Sequence, residues 1–541
     1  MNNTELQIKR IEKTLEVLKQ AGRKEVCSLL PIQYKPCGYK KGNNLPVPDD
    51  TWLQYNDGDR LEGYDKHAWF YKEFTTPDAP DGKKLYLVIR SSHKTPWTAE
   101  NPQSLLYLNG EMVQGLDLYH TKVLLKPKTQ YKMHCYFYTG VYKRQRYDLT
   151  FFLREDSDLE DELYYDMVTA HEAAMCYDIN DDNCISVEKQ LEIAADMIDF
   201  TKIGSDAYKK SLKKASDYLK EVFYTQVNEN APVVSCIGHT HIDLGWLWTF
   251  AQTKEKGQRS FATALKLMEE YPDYKFMSSQ AQLYQFVKEE APELYDKIKQ
   301  RVNDRRWEVE GAMWVEADCN LSGGESLVRQ LLYGKQFFRE EFGVECKALW
   351  LPDVFGYSAA LPQILKKANV DYFVTSKISW NEYNKLPCDA FLWQGIDGSE
   401  IYSYLLTCQE NKKASGEDIE TVYNGFVNAP YVLGTWKRFQ QKDMSRSTLL
   451  TYGYGDGGGG STGQMIKRQQ RLKYGIGAIP RAVSEFVGDF LEKSEAEFEE
   501  SSKKLNRTCR WVGELYLEKH RGTYTTIANN KRNNRKSEFL Y

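Results

Sequence analysis

The pattern of apolar and polar positions changes character several times along the chain. Residues 4 to about 25 carry Ile8, Ile11, Leu15 and Leu18 at helical spacing among charged neighbours, which predicts an amphipathic helix. From about 45 to 155, short runs such as Leu85–Arg90, Leu105–Leu108 and Tyr147–Leu153 are separated by turn residues such as Asn109-Gly110. That texture predicts a β-sandwich. Residues 156–228 are acidic, then helical, and read as a connector. From Val233 onward the runs Val233–Ile237, Lys275–Ser278, Ala348–Leu351, Tyr372–Thr375 and Leu449–Tyr452 alternate with helical stretches such as Pro292–Arg301 and Gly324–Glu341. Such alternation predicts parallel strands with crossover helices in a barrel-like α/β domain. The expected division is a helical segment 1–44, a β-sandwich 45–155, a helical connector 156–228, an α/β domain 229–503, and the start of a helical domain at 504–541.

Length agrees with several cores, because 541 residues exceed what one core usually holds. The 37 Tyr and 12 Trp suit a groove lined with rings, as sugars prefer, although tyrosine-rich β domains give the same count. A formal charge of −4 with interspersed signs offers no basic face, which argues against a nucleic-acid partner. The basic cluster Lys531–Lys536 reads as a solvated helix surface. The eleven cysteines are scattered without a C-x-x-C pair. They argue against a disulfide framework or thiolate zinc site and for a reducing, cytoplasmic setting. The N-terminus lacks the apolar core of a signal peptide, and no segment approaches a membrane span.

Chemistry concentrates in GHTHIDLGWLW, residues 238–248. His239, His241 and Asp243 follow an apolar run, at the end of a strand where α/β folds build sites. Positions two apart in extended backbone point the same way, so these side chains can converge on one divalent ion such as zinc. The plain alternative is a histidine that hydrogen-bonds a neighbouring strand. Further carboxylates stand in loop-like settings: Glu316 and Asp318 before a helix start, Asp353 directly after a strand, and Asp456 within a glycine run. Ordinary loop carboxylates near a helix N-terminus would look the same for the first two. The glycine run lacks the G-x-x-x-x-G-K-[ST] spacing of a phosphate loop, which leaves close approach of backbone to a ligand as its reading. His520, alone, would more often be structural.

Taken in order, GHTHIDLGWLW, SSQAQLYQFVKEEAPELYDKI, WVEADCNLSGGESLVRQ, LWLPDVFGYSAALPQIL, YGYGDGGGG and ELYLEKHRGTYTT resemble glycoside hydrolase family 38 α-mannosidases of the cytosolic and bacterial type, over roughly 40 to 540. The resemblance implies one divalent ion, zinc ahead of cobalt or manganese, held by His241, Asp243, Asp318 and His520, with His239 as a neighbour. It implies retaining hydrolysis of α-mannosides in which Asp318 is the nucleophile and a second carboxyl the acid, then the base. Asp353 is placed first for that second role, Asp456 contacts sugar or donates the proton, and Glu410 is a third candidate in the divergent stretch 393–414. Trp246, Trp248, Trp314 and Tyr357 can stack on sugar or pack in the core. The implied partner is a mannose-containing oligosaccharide or mannoside, and a homodimer is common in this subfamily. Relatives usually continue for several hundred residues past the His520 motif, so the resemblance also implies a truncated chain with reduced stability or activity. Two other readings stay open. One is a hydrolase or deacetylase whose metal activates water directly; the other is a non-catalytic carbohydrate-binding protein.

Overall fold

The structure is a computed structural model that describes residues 3–40, 42, 44–91, 102–141, 145–411 and 420–540. Its first helix, Asn3–Ala21, turns Ile11, Leu15 and Leu18 inward, the residues whose spacing predicted it. They pack with Leu163, Leu191 and Leu212 of the helices Asp158–Ala174, Asp182–Asp196 and Asp206–Phe223. This helical group is more than a connector. Its core is continuous with that of the α/β part, through Val234, Phe261 and Leu450. Buried charge also joins them, since Arg471 Nε donates to Asp166 Oδ1 at 2.7 Å.

The β-rich part forms two antiparallel sheets. One has the order Arg23–Ser28, Gln145–Ser157, Lys83–Ser91, Lys122–Leu125, with Arg60–Gly63 also on Gln145–Ser157. The other runs Leu53–Tyr55, Ile32–Cys37, His67–Thr75, Gln130–Tyr138, Gln103–Leu108, Glu111–Leu116. Side chains alternate between faces along each strand, so one apolar face of each sheet meets the other, while Trp69, Leu105, Tyr107 and Tyr136 form a second cluster on the opposite face of the second sheet. Phe70, Leu106 and Cys135 from one sheet and Leu87, Val123 and Phe151 from the other share a single core.

In the α/β part the strand Val233–His239 is central. It runs parallel to Phe276–Ser278, Ser447–Tyr452 and Arg481–Ser484, with Trp307–Val309 beyond Phe276–Ser278. A second sheet holds Ala348–Leu351, Tyr372–Thr375 and Glu400–Leu405 in parallel. Among the described residues, the parallel bridge Gly311 to Leu349 links the two sheets. The barrel-like arrangement expected from the alternation is therefore not a closed barrel among the described residues. The reason is an occupied edge: Ala390–Gln394 folds back antiparallel onto Glu400–Leu405, where Ser447–Tyr452 would otherwise close the ring.

Two short strands follow residue 503, the expected end of the α/β domain. Arg510–Val512 adds a parallel strand to Ala390–Gln394, and Leu515–Tyr516 pairs with Gly356–Tyr357. Residues past 504 thus complete the second sheet before the terminal helix Ala528–Glu538, which buries none of its side chains.

Candidate metal centre and active site

Two loops at the C-terminal ends of parallel strands build the site, as α/β architecture favours. The loop after Val233–His239 carries His241 and Asp243, and the loop after Ala348–Leu351 carries Asp353. His241 Nε2 lies 3.2 Å from Asp243 Oδ1 and 3.7 Å from Asp353 Oδ2. One ligand atom from each of the three lies within 4.8 Å of the others. On the far side of the ring, Nδ1 is 2.8 Å from Glu316 Oε2, while Glu316 Oε1 accepts from Ser279 Oγ at 2.6 Å. A carboxylate behind an imidazole orients the ring and raises its basicity as a ligand. Burial alone would depress the His241 pKa, but Glu316 and Asp243 outweigh it and hold the imidazole well above its ordinary value. A cation entering here must displace that proton.

The donor chemistry fits a divalent metal. One imidazole nitrogen and two carboxylate oxygens converge, with a third carboxylate fixing the histidine, a set suited to zinc or a similar ion. Asp353 has a second duty. Its Oδ1 is 2.9 Å from Lys377 Nζ, and its Oδ2 accepts from Tyr423 Oη at 3.0 Å. The Tyr423 hydroxyl also contacts Asp456 Oδ1, so one proton lies between two carboxylates. Asp353, placed first as a proton donor from sequence, thus sits inside the cation-binding group with both oxygens engaged.

Asp456 stands in left-handed backbone, φ 56°, and its carbonyl accepts from the Asp243 N–H at 3.1 Å. Non-glycine residues in that region cluster at functional sites. The glycines around it serve the fold of this loop. Gly458 has φ +78°, and a Cβ there would meet Ser260 Oγ at 2.6 Å and Ile242 Cδ1 at 2.8 Å. At Gly458 the close approach is to Ile242, on the loop that carries His241 and Asp243.

Asp318 and His520 are not brought into the group of His241, Asp243 and Asp353. The Asp318 carboxylate turns back to accept from the Asn320 and Leu321 N–H groups, at 3.0 and 2.7 Å. The His520 ring packs against Phe355 and Trp380, with centroids 4.8 and 5.4 Å away. Both segments border the site and are tied together, since Asn320 Nδ2 donates to the Tyr524 hydroxyl at 2.7 Å. His239 is buried and faces the Tyr423 carbonyl; burial pushes its pKa down to about 4.

Among the rings, Tyr357 is corrected outright. It is fully buried, and its hydroxyl bonds the Leu351 and Val354 carbonyls and Thr375, so it cannot stack on a sugar. Trp246 is 49% exposed and packs edge-on against Trp248, whose Nε1 donates to the Asp243 carbonyl at 3.0 Å. Trp314 bonds Gln282 instead. Glu410 is half-buried on a segment whose backbone packs tightly on Gly434, and 412–414 of the stretch searched for the acid lie outside the described residues. Tyr423 and Lys377 escaped the sequence reading because nothing in their local pattern marks them. Glu316 was visible only as a loop carboxylate.

Comparison with known proteins gives the family. Residues 231–514 match the model of the glycosyl hydrolases family 38 N-terminal domain. The chain is similar to alpha-mannosidase G of Dictyostelium discoideum, 39% identical over 368 residues, covering 67% of this chain and 32% of that protein. It is likewise similar to human alpha-mannosidase 2C1, at 39% over 310 residues (57% and 28%), and to a Saccharomyces cerevisiae alpha-mannosidase, at 34% over 351 residues (61% and 31%). The matches thus span about a third of the length of these relatives. No helix among the described residues is long and apolar enough to cross a membrane. With a family model matched over more than half its length, and that match enclosing the His241 centre, the chain belongs to glycosyl hydrolase family 38.

Proposed function

We propose that this chain carries the catalytic machinery of a retaining α-mannosidase, which removes terminal α-D-mannosyl residues from oligosaccharides or small mannosides. The observation that carries this reading is the convergence of His241, Asp243 and Asp353 inside the matched family domain. The names of the curated relatives support the substrate class.

In this reading His241, Asp243 and Asp353 would hold the cation, and Asp318 and His520, on bordering segments, are further ligands by family likeness. Bound there, a zinc ion (or cobalt or manganese) supplies electrostatic attraction for sugar hydroxyls. Glu316 keeps Nε2 of His241 aimed at the centre. Asp318 attacks the anomeric carbon and forms a mannosyl-enzyme. A second carboxyl, about 5–5.5 Å away as retention requires, gives its proton to the leaving oxygen and then takes one from water. Asp456 is the stronger candidate for that carboxyl, because Asp353 is committed to the cation group. Trp246, exposed beside the ligand loop, offers a face to the sugar.

The two N-terminal sheets make a β-sandwich in this reading, since they enclose one core. A cytoplasmic setting is supported by eleven cysteines, none of them in a disulfide. A homodimer remains part of the proposal by family likeness alone.

The test is hydrolysis of an aryl α-D-mannoside after loading with zinc, cobalt or manganese, beside Asp318→Ala. Metal-dependent turnover that the substitution removes, with a fluorinated mannosyl donor trapped on Asp318, supports the reading. Mannose binding without turnover would make the chain a binding protein, and turnover without a trapped sugar would favour metal-activated water.

A further inference from the structure

The segment Gly115–His120 ends a strand of the N-terminal sheets and continues past it, yet its contacts run to the α/β part. Gly115, in the strand Glu111–Leu116, lies so close to the helix Phe250–Glu270 that a Cβ would fall 1.8 Å from Arg259 Cγ and 2.6 Å from the Arg259 carbonyl. Thr263 Oγ1 of the same helix donates to the Gly115 carbonyl at 3.2 Å. Beyond the strand, Asp117 Oδ1 accepts from the N–H groups of Tyr119 and His120, both at 2.8 Å. It also lies 3.0 Å from His120 Nδ1. That turn leaves His120 Nε2 to donate to the Ser461 carbonyl at 2.8 Å. The Tyr119 ring stacks on Tyr454, with centroids 3.6 Å apart and planes 16° from parallel.

Tyr454 and Ser461 bracket the glycine loop that carries Asp456. Tyr454 and Gly460 exchange backbone hydrogen bonds of 2.8 and 2.7 Å, closing the loop at its neck. Inside it, Arg259 Nη2 donates to the Gly457 carbonyl at 2.5 Å. The tip meets the metal-ligand loop through the Ile242–Gly457 bridge and the Asp243 N–H to Asp456 carbonyl bond. A glycine-rich loop has few conformational restraints of its own, so its position is set by what grips it. One grip is the ligand loop and a second is Tyr119, His120 and Arg259, while Ser260 on the Gly458 carbonyl and Tyr423 on the Asp456 carboxylate hold it from the α/β part.

We infer that Tyr119 and His120 are positioning residues for the active site: the N-terminal sheets clamp the 454–461 loop and thereby place Asp456 and the backbone of Asp243. The metal arm of the test stands on the geometry alone, and the kinetic arm rests on the mannosidase reading. Zinc binding to metal-stripped protein is measured by calorimetry for wild type, Tyr119→Ala, Tyr119→Phe and His120→Asn, with circular dichroism to confirm folding. Supporting residues behind a metal ligand typically account for about 10–100-fold in affinity. Tyr119→Ala is expected to weaken zinc binding by about tenfold, Tyr119→Phe to restore it, and His120→Asn, too short to reach Ser461, to weaken it likewise. In mannoside hydrolysis kcat falls more than KM rises, because Asp456 is misplaced for the chemical step. Alanine and asparagine variants that are folded but lower-melting, with wild-type zinc affinity, would overturn the inference and leave the clamp a stabilising contact only. Wild type that binds zinc without hydrolysing mannoside would overturn the mannosidase reading while the zinc comparison still decides the clamp.

Discussion

At the scale of single residues, the centre is built as much by groups behind the ligands as by the ligands. Glu316 touches His241 and no cation position, yet it selects which ring nitrogen faces Asp243 and Asp353. Glu316→Gln is expected to leave the fold intact and weaken zinc binding by about 10–100-fold, read by calorimetry on metal-stripped protein. Asp353→Asn should weaken it further, because a ligand charge is lost and Lys377 keeps its own. Comparable affinity in both variants would place the metal elsewhere. A different carboxylate contributes to pH behaviour, beside Glu255, which burial pushes up to about 7. Burial pushes Glu308 up to about 8, against the opposing pull of its bonds from the Gly488 and Val487 N–H groups. Its folded pKa exceeds the unfolded value, so the native state binds the extra proton. That contribution is full at acid pH and is lost as pH rises toward about 8. Glu308→Gln should therefore flatten the fall in melting temperature between pH 5 and 8.

At the scale of elements, the glycine loop 453–460 shows how local freedom becomes tertiary definition. Gly458 needs both a positive φ and the absence of a Cβ, because Ser260 and Ile242 stand where one would go. Gly458→Ala combines backbone strain with a clash, and strain of this kind costs about 1–3 kcal/mol. The expected result is a lower melting temperature together with lost turnover, since the displaced strand of the loop carries Asp456. The short strand Arg510–Val512 behaves differently. It covers the edge of Ala390–Gln394, and the Gly513 carbonyl accepts from Trp393 Nε1 at 2.7 Å. A chain ended after Asn506 would expose that edge and the Trp393 indole, and is expected to melt lower and aggregate more readily on light scattering.

At the scale of the whole molecule, both other parts are packed onto the α/β part that carries the site. Helices 158–223 share the core of the α/β part, and the N-terminal sheets reach the Asp456 loop through Tyr119 and His120. Metal should report on this coupling. Zinc at a hundred times its Kd would add about 2.7 kcal/mol to apparent stability. Calorimetric scans with and without a chelator should show the gain in wild type and lose it in His241→Ala. An equal shift in both would mean that zinc binds outside the centre.

Much of this was legible in the chain. Alternation and helical spacing marked Val233–His239, Ala348–Leu351 and Tyr372–Thr375 nearly to the residue, because strand and helix periods follow from local backbone geometry. The H-x-H-x-D spacing put His241 and Asp243 on one loop, and ordered motifs gave the family. Pattern could not say that Asp353 would meet His241, that Tyr357 would be buried, or that Tyr423 would stand between two aspartates. Those facts depend on tertiary contacts, 33 and 70 positions apart for Tyr423 with Asp456 and Asp353, and more than 100 for His241 with Asp353. Nor could it show that Ala390–Gln394 would take the edge a closed barrel needs, because edge occupancy is a competition among strands. Local sequence determined which segments are strand or helix and which carry ligands; only tertiary packing decided which side chains face the same point.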